Sequence, residues 1–169
     1  KEVGIFYTKD NPYPITQINM KEIESLNFLK LDILKLDTVG IINDTCKLAN
    51  IPRIRDSMLD YSDKNVWDSM RESTTMIFQW ESDLGFSYYR KLFSEENLKR
   101  LQQRFGQVDY INLLSIGNAA IRPAGESYRD ELASGVEVDY GHEALNEFLK
   151  STFSRLVYQE QIIEFLNRF

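Results

Sequence analysis

Apolar and polar positions change their spacing along the chain, and each change predicts a new element. Residues 1–20 hold short extended pieces interrupted at Pro12 and Pro14, because a residue before proline is pushed towards extended geometry. Residues 29–33 alternate apolar and charged side chains, which predicts a half-buried strand. From residue 36 onwards, apolar positions recur at steps of three and four, which predicts that helical structure takes over.

The same periodicity predicts helices over most of the remaining chain. They cover residues 20–27, 37–49, 65–73, 82–93, 94–106, 109–121, 142–150 and 157–169. Residues 74–80 are apolar and β-branched, which favours a strand or an extended piece. The expected fold is therefore mainly α with a few short N-terminal β-strands, an α+β class.

Composition limits the kind of protein. The 169 residues include 43% hydrophobic side chains, enough for the core of one soluble globular domain. No apolar run approaches the ~20 residues that cross a membrane, so no membrane partner is expected. A single cysteine, Cys46, and a single histidine, His142, exclude a disulfide framework and a closed zinc site. Cys46 is expected in the core and His142 at the surface, in a reducing, cytoplasmic setting.

The net charge alone argues against a nucleic-acid-binding protein, but the distribution of the charged residues weakens that argument. The chain carries 20 basic and 26 acidic residues, a net charge of −6. The last third is the acidic part, whereas the middle third contains a basic group that can track a phosphate backbone or form a solvated helix face. Its members are Arg90, Lys91, Lys99, Arg100 and Arg104.

Two further places offer chemistry, each with an ordinary structural alternative. Asp32, two residues from Lys30 on the predicted strand, can bind a divalent metal near a phosphate or belong to an exposed charged face. Gln79 and Ser82 precede a helix whose free N–H groups can contact a phosphate, but Ser82 can equally cap that helix.

Arg122, before a proline turn, is the third such place. It can pair with phosphate oxygens, or it can close the preceding helix and favour its dipole.

Five motifs in order resemble the C family of replicative bacterial DNA polymerases, the alpha subunits of DNA polymerase III. PITQ followed by LKLDILKLDTVGII is similar to the segment that carries the last palm aspartate and enters the fingers. STTMIFQWES resembles the family's TT-x-x-FQ-x-ES motif, and AAIRPAG its RPGP motif. GHEALNEFLKSTFSRLVYQEQ resembles the H-x-x-L to YQEQ motif. The motifs occupy residues 14–17, 29–42, 73–82, 119–125 and 141–161.

The resemblance implies a function and a role for individual residues. Asp32 falls on the third metal-binding carboxylate of the palm and Lys30 on a lysine near the incoming triphosphate. Arg122, Tyr158, Gln159, Gln79 and Ser82 fall in fingers motifs near nucleotide and template. Residues 1–36 would be the C-terminal piece of the palm, and residues 37–169 a helical fingers region truncated at its C-terminal end.

The polymerase implied by the resemblance extends a primer 3′ end by two-metal phosphoryl transfer with Mg²⁺. Its partners would be primer-template DNA, deoxynucleoside triphosphates and replisome subunits such as the sliding clamp. The family's paired aspartates are absent from the sequence and would precede Lys1. We therefore expect residues 1–169 alone to be inactive.

This sequence also departs from the family. Ala124 and Gly125 stand where Gly-Pro is usual, and Ser154 replaces a glycine. An alternative function is a non-catalytic nucleic-acid- or replisome-binding module with a polymerase-like fold.

Overall fold

The computed structural model describes residues 2–169 as two units, an N-terminal unit that ends at Lys35 and a helical unit, Leu36–Phe169. The strands are β1 (Ile5–Thr8) and β2 (Asn11–Thr16). The helices are α1 (Met20–Ser25), α2 (Asp37–Leu48), α3 (Lys64–Ser69), α4 (Asp83–Leu92), α5 (Glu95–Phe105), α6 (Tyr110–Ile121), α7 (Arg129–Ala133), α8 (Glu143–Leu149) and α9 (Gln159–Arg168). The mainly α class with short N-terminal strands is confirmed.

The N-terminal unit is a β-hairpin followed by one short helix. Strands β1 and β2 are antiparallel, with Ile5 opposite Thr16 and an irregularity between Phe6 and Thr8. Helix α1 begins in a capping box, in which the Asn19 side chain accepts from the Glu22 backbone N–H at 3.0 Å and the Glu22 carboxylate accepts from the Asn19 N–H at 2.8 Å. No described residue of this unit is buried.

The predicted strand over residues 29–33 is wrong. These residues have no regular secondary structure, and their apolar side chains, such as Leu31 and Ile33, are exposed. An alternating pattern forms a strand only when a neighbouring strand accepts its hydrogen bonds, and within residues 2–169 the two hairpin strands pair only with each other. The local pattern therefore lacks the partner that would give it a sheet.

The predicted extended piece over residues 74–80 is also wrong, because the chain turns repeatedly there. Met76 (φ 63°) and Gln79 (φ 68°) adopt left-handed backbone conformations. The buried Thr74 hydroxyl donates to the Trp80 carbonyl at 2.6 Å, which closes the turn. The turn places the indole of Trp80 in the core. The free energy gained by burying this side chain outweighs the preference of β-branched residues for an extended backbone.

An aromatic cluster forms the centre of the helical unit. The Tyr89 and Phe93 rings stack with centroids 4.4 Å apart, and Trp67 stacks on Phe93 at 5.6 Å. Trp80 lies parallel to the Tyr88 ring and edge-on to that of Tyr89. Because the cluster joins α3, α4 and the 74–80 turn, it fixes the elements that lead into α5 and α6. The prediction that Cys46 is buried is confirmed.

Local signals placed most helix ends correctly, with two differences. Ser82, Ser94 and Asp109 each accept a backbone N–H bond at the starts of α4, α5 and α6. Helix α3 stops at Ser69 instead of residue 73, and α7 is a helix that periodicity did not predict. With five residues, α7 is too short to show a period.

Candidate nucleotide pocket

A pocket of about 560 Å³ lies where α6 ends and α9 begins. Its wall combines the end of α6, the Pro123–Gly125 turn and the segment that enters α9. It brings together three residues that the sequence analysis selected from two separate motifs, Arg122, Tyr158 and Gln159. The volume falls within the range of about 300–1,000 Å³ that small-molecule sites occupy.

Arg122 presents an exposed cation to this pocket. Arg122 is the C-cap residue of α6, and its backbone N–H donates to the Ala119 carbonyl. The side-chain bonds to the last carbonyls of α6 come instead from Arg129, whose Nε donates to the Ala120 carbonyl at 2.7 Å and whose Nη2 donates to the Ile121 carbonyl at 3.1 Å. Within residues 2–169, no ion pair or side-chain hydrogen bond engages the Arg122 guanidinium. The group is therefore available to an anion such as a phosphate.

Two tyrosines line the same wall. Burial raises the pKa of Tyr158, and the neighbouring Tyr128 phenol raises it further. Burial also raises the pKa of Tyr128, against the opposing effect of Arg155. Both phenols therefore stay protonated near neutral pH and can donate hydrogen bonds.

Sequence reasoning missed Tyr128 and a second pocket residue, Asn118. The Asn118 Oδ1 atom is buried and has no hydrogen-bond partner among the described residues. Neither residue belongs to a motif quoted above, so no sequence signal marked them. Only the packing of α6 against the turn and the α9 entry identifies them.

Gln79 and Ser82 do not line this pocket. The Ser82 hydroxyl accepts from the Gly85 N–H at 3.0 Å. Ser82 therefore caps α4, which is the second of the two roles that the sequence allowed. The Gln79 Oε1 atom is buried without a partner in the described chain. The backbone of the Gln79 turn approaches α4 so closely that a Cβ at Gly85 would lie 2.7 Å from the Gln79 carbonyl oxygen. In this structure the FQ-x-ES motif shapes a turn.

The basic group is dispersed over different environments. Arg90 lies over the Phe86 ring at 5.9 Å, and Arg100 pairs with Glu96 and donates to the Ser134 carbonyl at 3.1 Å. Lys91 and Lys99 are exposed. Arg104 lines a separate pocket that also contains the carboxylates Glu137, Asp139, Glu143 and Glu147. A phosphate backbone passing Arg104 would meet that acidic wall, which weakens the case for one continuous DNA track.

Asp32 and Lys30 lie on the irregular segment of the N-terminal unit. The Lys30 Nζ atom lies 3.5 Å from Asp32 Oδ2 and 3.9 Å from Glu24 Oε1, and 64% of the Asp32 side chain is exposed. Across residues 2–169, no three His, Cys, Asp or Glu side chains gather into a group that could hold a metal ion. The single carboxylate of Asp32 does not fit a two-ion Mg²⁺ centre by itself.

His142 lies at the surface, as predicted, and its Nδ1 accepts from the Leu145 N–H at 3.3 Å at the start of α8. Within the described part of the chain, no helix combines the length and the apolar character that crossing a bilayer requires.

The fold is a helical unit with a pocket that one arginine and two tyrosines line, Arg122, Tyr128 and Tyr158. The family model described as the bacterial DNA polymerase III alpha subunit finger domain matches residues 36–169. The chain therefore belongs to that family.

Curated relatives agree with this assignment. The chain is 26% identical to the DNA polymerase III subunit alpha of Vibrio cholerae over 175 residues, covering 95% of this chain and 14% of the relative. It is 30% identical to that of Helicobacter pylori J99 (89% and 12%) and 32% identical to that of Staphylococcus epidermidis (88% and 13%). The chain thus spans about an eighth of the length of these relatives. No solved structure matches it.

Proposed function

We propose that this chain works inside a longer replicative DNA-directed DNA polymerase, called the parent polymerase below. In this proposal residues 37–169 are its fingers region and residues 1–36 a small adjoining piece of the palm. The family model, which begins at residue 36, and the separate N-terminal unit support this division. The parent polymerase would add deoxynucleotides to a primer 3′ end and would engage primer-template DNA and replisome subunits such as the sliding clamp.

The observation that carries the proposal is the meeting of Arg122, Tyr158 and Gln159 at one pocket in a chain of the fingers family. We propose that Arg122 pairs with oxygens of the incoming triphosphate, since a guanidinium forms two parallel, charge-assisted hydrogen bonds with such groups. The protonated Tyr158 phenol offers a further donor, and the Gln159 amide can donate or accept.

The proposed contribution of these residues is to orient the triphosphate before transfer. Holding two reactants in the reactive geometry removes much of the entropic barrier of a bimolecular step. None of the three side chains needs to read the base, because template pairing selects it.

Mg²⁺ belongs to the proposal as a cofactor of the parent polymerase, where two-metal phosphoryl transfer is the expected chemistry. Asp32 is the candidate ligand that this chain offers, with Lys30 beside it as a candidate contact to the triphosphate. The remaining ligands of such a centre would have to come from elsewhere in the parent polymerase.

Replacing Asp32 by Asn in the parent polymerase tests this assignment. The carboxamide keeps the size of the side chain and removes its charge, so we expect primer extension to fall at least about 100-fold with unchanged thermal unfolding. Asp10→Asn, another exposed aspartate of the N-terminal unit, is the matched control and should extend normally. Near-normal extension by Asp32→Asn would remove Asp32 from the catalytic centre.

A further inference from the structure

The segment between α8 and α9 holds an irregular backbone in a defined conformation. Phe153 (φ 52°) and Ser154 (φ 64°) are consecutive residues in the left-handed region, where the backbone of residues other than glycine is strained. Residues 155–158 then belong to no helix or strand. Their backbone groups need other partners, because buried backbone N–H groups are rarely left unpaired.

Gln161, on the first turn of α9, supplies those partners through both ends of its amide. Its Oε1 accepts from the Val157 N–H at 2.8 Å and from the Tyr158 N–H at 3.0 Å. Its Nε2 donates to the hydroxyl of the buried Thr152 at 2.8 Å. That hydroxyl in turn donates to the Arg155 carbonyl at 2.6 Å. One side chain thus ties both ends of the segment together.

A second anchor holds the middle of the segment. The buried Arg155 guanidinium pairs with the Glu131 carboxylate at 2.9 Å and donates to the Val136 carbonyl at 3.2 Å. The segment is therefore attached to α7 and to the loop that follows it, independently of Gln161. What Gln161 adds is the placement of the last two residues before α9, Val157 and Tyr158, both of which line the pocket. Of these two, Tyr158 is the one that carries a hydrogen-bonding side chain.

We propose that Gln161 is a positioning residue for nucleotide binding, which acts by holding the backbone of Tyr158 at the pocket. This inference rests on the proposed function, because it assumes that the pocket takes the incoming deoxynucleoside triphosphate. An amide suits the task, since its oxygen accepts two N–H bonds while its NH₂ group donates a third. A glutamate in place of Gln161 keeps an oxygen that accepts both N–H bonds. A methionine fills a similar volume but can neither accept these bonds well nor donate one.

The test is a double-mutant cycle in the parent polymerase, read as single-nucleotide incorporation at varied deoxynucleotide concentration. We expect Gln161→Ala to raise KM about 10-fold and to change kcat less than about threefold, the pattern of weakened binding. Gln161→Glu should stay within about threefold of the unsubstituted KM. Because Gln161 acts through Tyr158, adding Gln161→Ala to Tyr158→Ala should cause no further increase. Gln103→Ala, an exposed glutamine of α5, is the control.

Each contrary result has a distinct meaning. If the two alanine effects multiply, or if Gln161→Glu is as impaired as Gln161→Ala, the positioning role is overturned. A normal KM for Gln161→Ala beside a raised KM for Tyr158→Ala also overturns it and leaves the pocket standing. Normal KM values for Tyr158→Ala and Arg122→Ala would instead refute the proposed function. Should Gln161→Ala fail to fold, Gln161→Met takes its place in the cycle.

Discussion

The N-terminal unit and the helical unit hold their candidate residues in different ways. Lys30 and Asp32 are neighbours through sequence proximity, on an exposed segment without regular structure. Arg122 and Tyr158 are 36 positions apart and line one pocket because α6, a tight turn and the α9 entry pack together. The pocket geometry therefore depends on the packed helical core. Among residues 2–35 of the N-terminal unit no side chain is buried, so no packed side chain there sets the position of Asp32.

If the two units differ in this way, the largest loss of stability should follow from Trp80→Ala. The indole is 2% exposed and packs against Tyr88 and Tyr89, so we expect the free energy of unfolding to fall by about 3–5 kcal/mol. Leu34→Ala, 88% exposed in the N-terminal unit, should change it by less than about 0.5 kcal/mol. Urea unfolding of the 169-residue chain measures both, and equal losses would erase the distinction between the units.

Two mid-helix glycines sharpen the comparison within the helical unit. A Cβ at Gly117 of α6 would lie 2.8 Å from the Trp80 ring, so Gly117→Ala should destabilise by about 1–3 kcal/mol through overpacking. A Cβ at Gly40 of α2 would lie more than 4 Å from every neighbour that residues 2–169 offer, so Gly40→Ala should stabilise by about 0.5–1 kcal/mol through helix propensity. The prediction fails if both substitutions shift the urea midpoint in the same direction.

The buried phenols predict a loss of stability in alkali. Burial raises the pKa of both Tyr88 and Tyr89. Below pH 10 both phenols are protonated in the folded and unfolded chain, so they cause no pH dependence. Above pH 10 the unfolded chain releases protons that the folded chain retains, and stability falls by up to about 1.4 kcal/mol per pH unit for each tyrosine.

Unfolding measured from pH 8 to 11 checks this slope. The variant with Phe at both Tyr88 and Tyr89 should show a shallower slope, and the raised pKa values of Tyr128 and Tyr158 account for part of what remains. At pH 8 it should lose about 1 kcal/mol for each hydroxyl bond removed, to the Arg129 and Trp67 carbonyls. An unaltered slope would mean that groups elsewhere in the chain cause the alkaline loss.

The smallest predicted effect concerns Ser154, which holds a left-handed backbone conformation. Ser154→Gly relieves strain of about 1–2 kcal/mol, but glycine also loses about 0.5–1 kcal/mol more chain entropy on folding. The two effects partly cancel, so we expect thermal unfolding to show a rise in the free energy of unfolding of between about 0 and 1.5 kcal/mol. Ser127→Gly, exposed and without a positive φ, should not stabilise. A loss of stability for Ser154→Gly would show that the hydroxyl has a role of its own.

Helix ends were predictable wherever one side chain close in sequence determines them. The caps Ser82, Ser94 and Asp109 bond to backbone N–H groups within three residues, so the sequence around each helix start contains the whole signal. The 74–80 turn was not predictable, because the burial of Trp80 overrides local preference. The 29–33 strand failed for a related reason, since a strand depends on a partner that its own residues do not specify.

Several residues of the candidate site could be predicted from the sequence, but their arrangement in space could not. The family resemblance selected Arg122, Tyr158 and Gln159, and the structure gathers them, although their roles remain predictions. The resemblance also selected Gln79 and Ser82, which do not line the pocket. The Ser82 hydroxyl caps α4 instead, by accepting from the Gly85 N–H. Arg129 could not have been foreseen, because its cap on α6 depends on a turn folding back.

The most direct test of the central claim is single-turnover nucleotide incorporation by the parent polymerase with Arg122→Ala. If Arg122 binds the triphosphate, loss of charge-assisted hydrogen bonds should raise the deoxynucleotide Kd about 10- to 100-fold. Arg53→Ala, an exposed arginine that does not line this pocket, should stay within about twofold of the unsubstituted enzyme. A Kd for Arg122→Ala equal to that of the unsubstituted enzyme would contradict the account.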